Sequence, residues 1–179
     1  KFQYRPRSLK PGEPVRIATT GRLVEKKGLA YAIRAVVKQA EHTPNLEFLI
    51  IGDGPLKAEL QELTRALQAE AYIQFLGWRN EAEIAGVLDT CHLFVAPSVA
   101  AANGDQDAPV NVLKEAMAMG LPVISTVHGG IPELVQDGVS GFLVPERDAE
   151  AIAERLGYLI AHPDRWSEMG QAGRAFVAE

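Results

Sequence analysis

Val15-Arg16-Ile17-Ala18-Thr19, then Gly21-Arg22-Leu23, then Leu29, Ile33, Val36, Val37 and Ala40, then Leu46-Glu47-Phe48-Leu49-Ile50-Ile51: this run decides the fold. Its first five residues alternate as a strand does. Gly21-Arg22-Leu23 reads as a turn. The next apolar residues recur at helical spacing, and Pro44-Asn45 breaks that helix. The six mostly apolar residues after the break suit a strand covered on both faces. Strand, helix and buried strand in that order make a βαβ unit, whose right-handed crossover lays the two strands parallel.

The same alternation continues outward. Gly52-Asp53-Gly54-Pro55 ends the second strand, and Leu56, Leu60, Leu63 and Leu67 mark a helix. Tyr72-Ile73-Gln74-Phe75-Leu76 is a third strand. After Gly77-Trp78-Arg79-Asn80 a helix carries Ile84, Val87 and Leu88, and His92-Leu93-Phe94-Val95 is a fourth strand stopped by Pro97-Ser98. A loop from Val99 to about Pro109 leads to a helix lined by Val112, Leu113, Ala116 and Met117, which Gly120 can end. Leu121 to Ser125 and Gly141 to Val144 are the fifth and sixth strands, with a short helix around Glu133-Leu134-Val135 between them. Ile152, Leu156, Leu159 and Ile160 mark one closing helix, and Trp166, Met169, Gly173 and Phe176 another. The expectation is an α/β fold: a Rossmann-like, doubly wound parallel sheet of about six strands with helices on both faces. Ligands of such sheets sit outside the carboxyl ends of the strands, where the turns at Gly21, Gly52, Gly77, Pro97 and Gly129 fall. No fixed-period repeat and no low-complexity tract interrupts the pattern.

Composition bounds the function. The 179 residues fit one domain, and 47% apolar content can fill a core. A net charge of −5 argues against nucleic acid as a partner. The charge is uneven: residues 1–90 hold 13 Lys and Arg against 11 Asp and Glu, and residues 91–179 hold 5 against 12. Nine basic and two acidic residues stand within Lys1–Arg34, so a local anion site near the start remains open. The single Cys91 excludes a disulfide framework and a cysteine-based zinc site. His42, His92 and His162 show no ligand spacing. No run is long and apolar enough to span a membrane, and no secretory signal opens the chain. The setting expected is cytoplasmic, with peripheral contact at the inner face of a membrane left to a full-length protein. The chain starts at Lys1, and Lys1–Pro14 is polar and basic. We read residues 1–14 as a linker from an N-terminal domain outside this sequence, and residues 15–179 as the domain proper. A mature protein with its leader removed is the alternative.

Four residues stand out for chemistry. Arg22 and Lys27 follow the first strand five positions apart, Lys27 just before the helix that starts near Gly28. Two cations beside a helix N-terminus suit a doubly charged anion such as a diphosphate; a solvated basic loop is the plain reading. Neither the dinucleotide glycine pattern nor the P-loop is present. Asp107 and Glu115 are separated by seven residues. On a helix that is a rise of about 12 Å and a turn of about 80° beyond two full turns. The spacing is too wide for a glycosidase pair at about 5–10 Å, and it suits two contacts along one elongated ligand. A helix cap and a surface carboxylate explain the same two residues. Among the rest, His128 reads as a solvent-exposed turn histidine, Lys26 as solvated, Asp53 as turn chemistry, and Glu133 as a brace. Trp78 packs either beside a base or half-buried on the sheet.

Gly21-Arg22-Leu23 with Lys27-Gly28, Ile51-Gly52-Asp53-Gly54-Pro55, Phe75-Leu76-Gly77-Trp78, Pro97-Ser98, Glu115 through Val123, Gly129-Gly130-Ile131-Pro132-Glu133 and Gly138 through Val144 stand in one order. Taken together they resemble the C-terminal half of retaining, metal-independent GT-B glycosyltransferases. They are similar to the large group that builds polysaccharides and glycolipids from nucleotide sugars. The resemblance runs from about Val15 to Phe176 and implies a hexosyltransferase that passes a hexose from a nucleoside-diphosphate sugar to a glycan or lipid-linked acceptor. It implies that Arg22 and Lys27 hold the donor diphosphate, Glu115 grips the ribose hydroxyls and Asp107 orients the transferred sugar. Asp107 departs from the family pattern, which has Glu there. Ala108-Pro109-Val110 also departs, and Pro109 has no N–H to offer. Gly77-Trp78-Arg79 lies where the family's loop passes the nucleobase. The implied catalytic residues are therefore Arg22, Lys27 and Asp107; the implied donor-binding residues are Gly21, Gly77, Trp78, Ala108, Val110, Asn111 and Glu115. The resemblance implies no metal and no cofactor, and as partners the nucleotide sugar and the N-terminal domain of a longer chain, without which no transfer is expected.

Three rival readings follow from the same residues. A GT-B relative could be a sugar-nucleotide epimerase or a phosphorylase. A receiver-type module would need an acidic cluster where the first strand instead ends Thr19-Thr20-Gly21-Arg22. An interaction domain without catalysis is compatible with Asp107 in place of Glu.

Overall fold

A computed structural model describes residues 1–105 and 111–178. Among them, six parallel strands form one sheet: β1 (Val15–Thr20), β2 (Leu46–Ile51), β3 (Ile73–Gly77), β4 (Leu93–Ala96), β5 (Val123–Thr126) and β6 (Gly141–Val144). Their order is β3-β2-β1-β4-β5-β6. Helices α1 (Leu29–Ala40), α2 (Lys57–Ala66) and α6 (Ala149–Ala161) cover one face. On the other face lie α3 (Glu81–Asp89), α4 (Asn111–Ala118) and α5 (Ile131–Leu134). The doubly wound sheet expected from the alternation is therefore present.

The pleat of β1 divides its side chains between two cores. Val15 and Ile17 join Phe48, Ile50, Ile33 and Leu156 on the α1 side, while Ala18 joins Phe94, Leu113 and Met117 on the α4 side. Ala18 in β1 and Ala32 and Ala35 in α1 are fully buried, and such small residues let helix and sheet close without voids. The last helix, α7 (Trp166–Ala178), is set first by Trp166, fully buried with its indole N–H donating to the Leu159 carbonyl at 2.8 Å. Farther on, Gly170 lies against Gly120, and Gly173 against Met117 of α4.

Element edges differ slightly from the periodicity reading. β3 begins at Ile73 and includes Gly77, and β5 begins at Val123. Two single 3-10 turns, Glu25–Lys27 and Pro163–Arg165, are too short to leave an apolar period. Residues 1–14 contain neither helix nor strand, yet they are fastened to the domain. Arg7 is 2% exposed. Its guanidinium donates to the carbonyls of Leu88, Asp89, Cys91 and Met119 at 2.8–3.1 Å. Those carbonyls close the C-terminal ends of α3 and α4, where orphan acceptors and the negative end of the helix dipole favour a cation.

Candidate functional site

β1 and β4 are neighbours, but α1 leaves to one face and α4 to the other. The crevice between the two departures is the topological switch point, where a doubly wound sheet receives ligands. Two segments line it: the β1–α1 turn, which carries Arg22 and Lys27, and the β4–α4 loop.

Glycine lets the two segments touch. Gly21 has φ +136°, and a Cβ there would stand 3.3 Å from Lys27 Cε, so the Lys27 side chain lies over Gly21. Gly28 has φ +63°, and any Cβ on it would overlap the Pro97 carbonyl. The β2–α2 turn backs the arrangement from the other side: Leu23 N–H donates to the Asp53 carbonyl at 3.0 Å, and Asp53 Oδ1 accepts from Gly54 N–H at 2.8 Å. Asp53 is thus engaged in the turn chemistry its sequence suggests. Arg22 is exposed and makes no ion pair with a described residue, whereas Lys27 is half-buried.

On the α4 side, Asn111 is the exposed first helical residue. Glu115 follows one turn later, about 6 Å from the helix start. It is half-buried and opens on a hollow of about 400 Å³ shared with Phe2, Ala118 and Val177. Burial raises its pKa above the ordinary carboxylate range; the nearby charge of Glu81 adds to the rise, and Lys1 opposes it. Gly77 closes β3 with φ +73°, and Trp78 beyond it is 69% exposed. The half-buried packing considered for Trp78 is therefore not what the structure has. Asp107, Ala108 and Val110 lie outside the described residues. Among the described residues no three His, Cys, Asp or Glu side chains gather as a metal site. A groove of about 640 Å³ between α1 and α2 reaches both the β1–α1 turn and the β4–α4 loop: Glu25, Gly28, Val99 and Arg147 line it together with Leu29 and Leu56, while Arg22 and Lys27 do not.

Two sequence readings need correction. His128 is not a solvent-exposed turn residue: it is 2% exposed, with Nδ1 3.2 Å from Glu146 Oε2. Lys26 is not free in solvent, since its Nζ lies 3.5 Å from Asp105 Oδ2. Sequence reasoning also missed two carboxylates that grip the β4–α4 loop. Glu25 Oε1 accepts from Ala102 N–H, and Glu146 Oε1 from Ala100 N–H, both at 2.7 Å. Glu146 stands 46 residues from Ala100 and Glu25 stands 77 from Ala102, so no local pattern announces them.

Comparison with known proteins follows the same outline. The family of glycosyl transferases group 1 matches residues 1–176. WcaL of Escherichia coli K12, named for colanic acid biosynthesis, is 42% identical over 155 residues, covering 86% of this chain and 38% of WcaL. The crystal structure of the C-terminal domain of LpcC, a glycosyl transferase group 1 family protein of Francisella tularensis, matches with TM-score 0.80 and 25% identity, over 93% of this chain and 86% of that one. Anabaena HepE, crystallised with UDP-glucose, matches with TM-score 0.80 and 25% identity, over 92% of this chain and 44% of its own. The chain thus spans less than half of the full-length proteins it resembles.

Proposed function

Because the chain belongs to the glycosyl transferases group 1 family, we propose that its switch-point crevice holds a nucleoside-diphosphate sugar as the donor for retaining hexosyl transfer. The observation that carries this is the placement of Lys27 over Gly21 at the carboxyl end of β1, next to exposed Arg22 and the start of α1. A diphosphate seated there meets two cations and the positive end of a helix. The bound UDP-glucose of HepE supports the donor class, and the colanic acid role of WcaL supports a glycan acceptor.

In the proposed reaction the bond from the sugar's anomeric carbon to the β-phosphate oxygen breaks, and its electron pair leaves with the diphosphate. An acceptor hydroxyl oxygen bonds the same carbon on the same face, and its proton passes to the departing phosphate oxygen. Charge therefore builds on the diphosphate in the transition state. Lys27, laid over Gly21, and Arg22, exposed beside it, stabilise it there without a metal ion. Glu115 accepts from the ribose hydroxyls, and Asp107 orients the sugar rather than serving as a base. Trp78 stands at the end of the strand nearest the expected base.

Calorimetric titration of the full-length protein with UDP and GDP sugars tests the reading. One donor class should give saturable heat, and replacing both Arg22 and Lys27 by Ala should abolish it. Unchanged binding in the double variant removes the diphosphate site. Product analysis separates transfer from epimerisation or phosphorolysis. The chain alone should bind donor weakly and turn nothing over; transfer by it would overturn that part.

A further inference from the structure

Within the β4–α4 loop, Ala101 N–H donates to the Asp105 carbonyl, Gly104 N–H to the Ala101 carbonyl and Asp105 N–H to Asn103 Oδ1, each at 2.9 Å. Between Val99 and Asp105 it reads Ala100-Ala101-Ala102-Asn103-Gly104, and Val99 is buried. Those bonds shape its tip; the loop is tied to the rest of the domain from both sides by a Glu followed by a basic residue. From the β1–α1 turn, Glu25 takes the Ala102 N–H, Lys26 faces Asp105, and the Lys26 carbonyl takes the Val99 N–H at 2.9 Å. From the β6–α6 connection, Glu146 takes the Ala100 N–H and Arg147 donates to the Ala100 carbonyl. Glu146 is itself steadied by buried His128. Backbone N–H bonds to a carboxylate are short and strong, so each clamp fixes the loop more firmly than a neutral contact would.

We propose that Glu25 and Glu146 are positioning residues for the donor site: gripping the loop at Ala102 and Ala100, they set the distance between the Lys27 turn and the start of α4 before the donor arrives. Neither touches the donor. Both act on the stretch between the two walls of the crevice, where a small misplacement weakens contacts along the whole donor. The inference rests on the donor-site reading above.

The test uses the full-length protein and four variants: Glu25→Ala, Glu146→Ala, Glu25→Gln and Glu146→Gln. Each Ala variant should lower kcat/KM for the nucleotide sugar about tenfold, with the acceptor KM unchanged. Each Gln variant keeps an acceptor oxygen and should fall between wild type and Ala. The double Ala variant should lose less than the product of the single losses, because both clamps hold one loop. Hydrogen exchange should quicken at Ala100 and Ala102 while the β1–β2 amides stay protected. Wild-type donor kinetics in the Ala variants overturn the proposal, as does exchange that quickens everywhere alike. If the Ala variants fail to fold, donor kinetics of the Gln variants equal to wild type overturn it too. The Arg22 and Lys27 double variant tells the two readings apart. Lost donor binding there, with intact Glu25 and Glu146 variants, rejects the clamps alone; retained binding rejects the donor site itself.

Discussion

Arg7 and Arg22 belong to the same basic opening stretch and have opposite fates. Arg7 is sunk where α3 and α4 end, and the two terminal nitrogens of its guanidinium donate to four carbonyls. Burial, reinforced by the charge of Arg5, lowers its pKa to about 10, and it still carries its proton at neutral pH. Arg22 stands just past the carboxyl end of the interior strand β1, exposed, with no ion pair among the described residues. A count of positive charges near the start treats them alike. What separates a structural cation from a ligand-ready one is whether the fold already supplies its acceptors.

The largest effect should come from Arg7. Arg7→Met strands several buried carbonyls and should lower the unfolding temperature by roughly 10 °C, read by calorimetry or circular dichroism. Arg22→Met should move it by no more than about 2 °C. Equal shifts in the two variants would break the contrast. Donor affinity should invert the order: Arg22→Met should weaken nucleotide-sugar binding about tenfold or more in a titration.

The pH dependence sharpens the same contrast among carboxylates. Glu115 has a raised pKa, so between the ordinary carboxylate value and its own the folded state holds more protons than the unfolded one. Its charge is thus a burden at neutral pH that acidification relieves. With Glu115 charged at the ribose, as proposed, donor affinity should begin to fall on acidification earlier than an ordinary carboxylate would allow. Glu81→Gln should move that fall to lower pH, and Glu115→Gln should erase it. Glu146 runs the other way. The Ala100 N–H, and then His128, hold its pKa down; its contribution is present above the ordinary carboxylate range and is lost only as pH drops through the lowered value. Loop exchange at Ala100 should therefore stay slow until strongly acid pH. The smallest effect is expected of Trp78→Ala: no thermal shift, and a several-fold loss of donor affinity if the ring stacks on the base. An unchanged affinity would remove Trp78 from the site.

Much of the fold was legible because its signals are local. Ile33 and Val36 repeat at helical spacing, Phe48 and Ile50 alternate, and Gly52 and Gly77 punctuate strand ends; each cue lies within a few residues of the element it marks. The resemblance, carried by an ordered set of such short motifs, led to the family for the same reason. What escaped is what the chain joins across distance. Arg7 reaches Met119, 112 residues away, and Glu146 reaches Ala100 from 46 residues away, past the end of β6. His128 looked like an exposed turn residue because it precedes Gly129-Gly130, and only the fold brings Glu146 beside it. Of the site, the position of Arg22 and Lys27 after the first strand was readable, while the laying of Lys27 over Gly21 was not, and the surroundings of Glu115 depend on Phe2, Lys1 and Glu81, which sequence spacing does not connect to it.

Gly170 of α7 meets the carbonyl of Gly120 with no side chain between them. Such a backbone-to-backbone seat has no rotamer to yield, so α7 and the turn ending α4 move as one rigid lever. A single added methyl at Gly170 would wedge that lever apart at the rear of the domain, and the tilt would surface at Glu115 of α4, five residues before Gly120. A deep mutational scan should accordingly find one of its least forgiving positions well away from any ligand, on a helix whose sequence looks unremarkable.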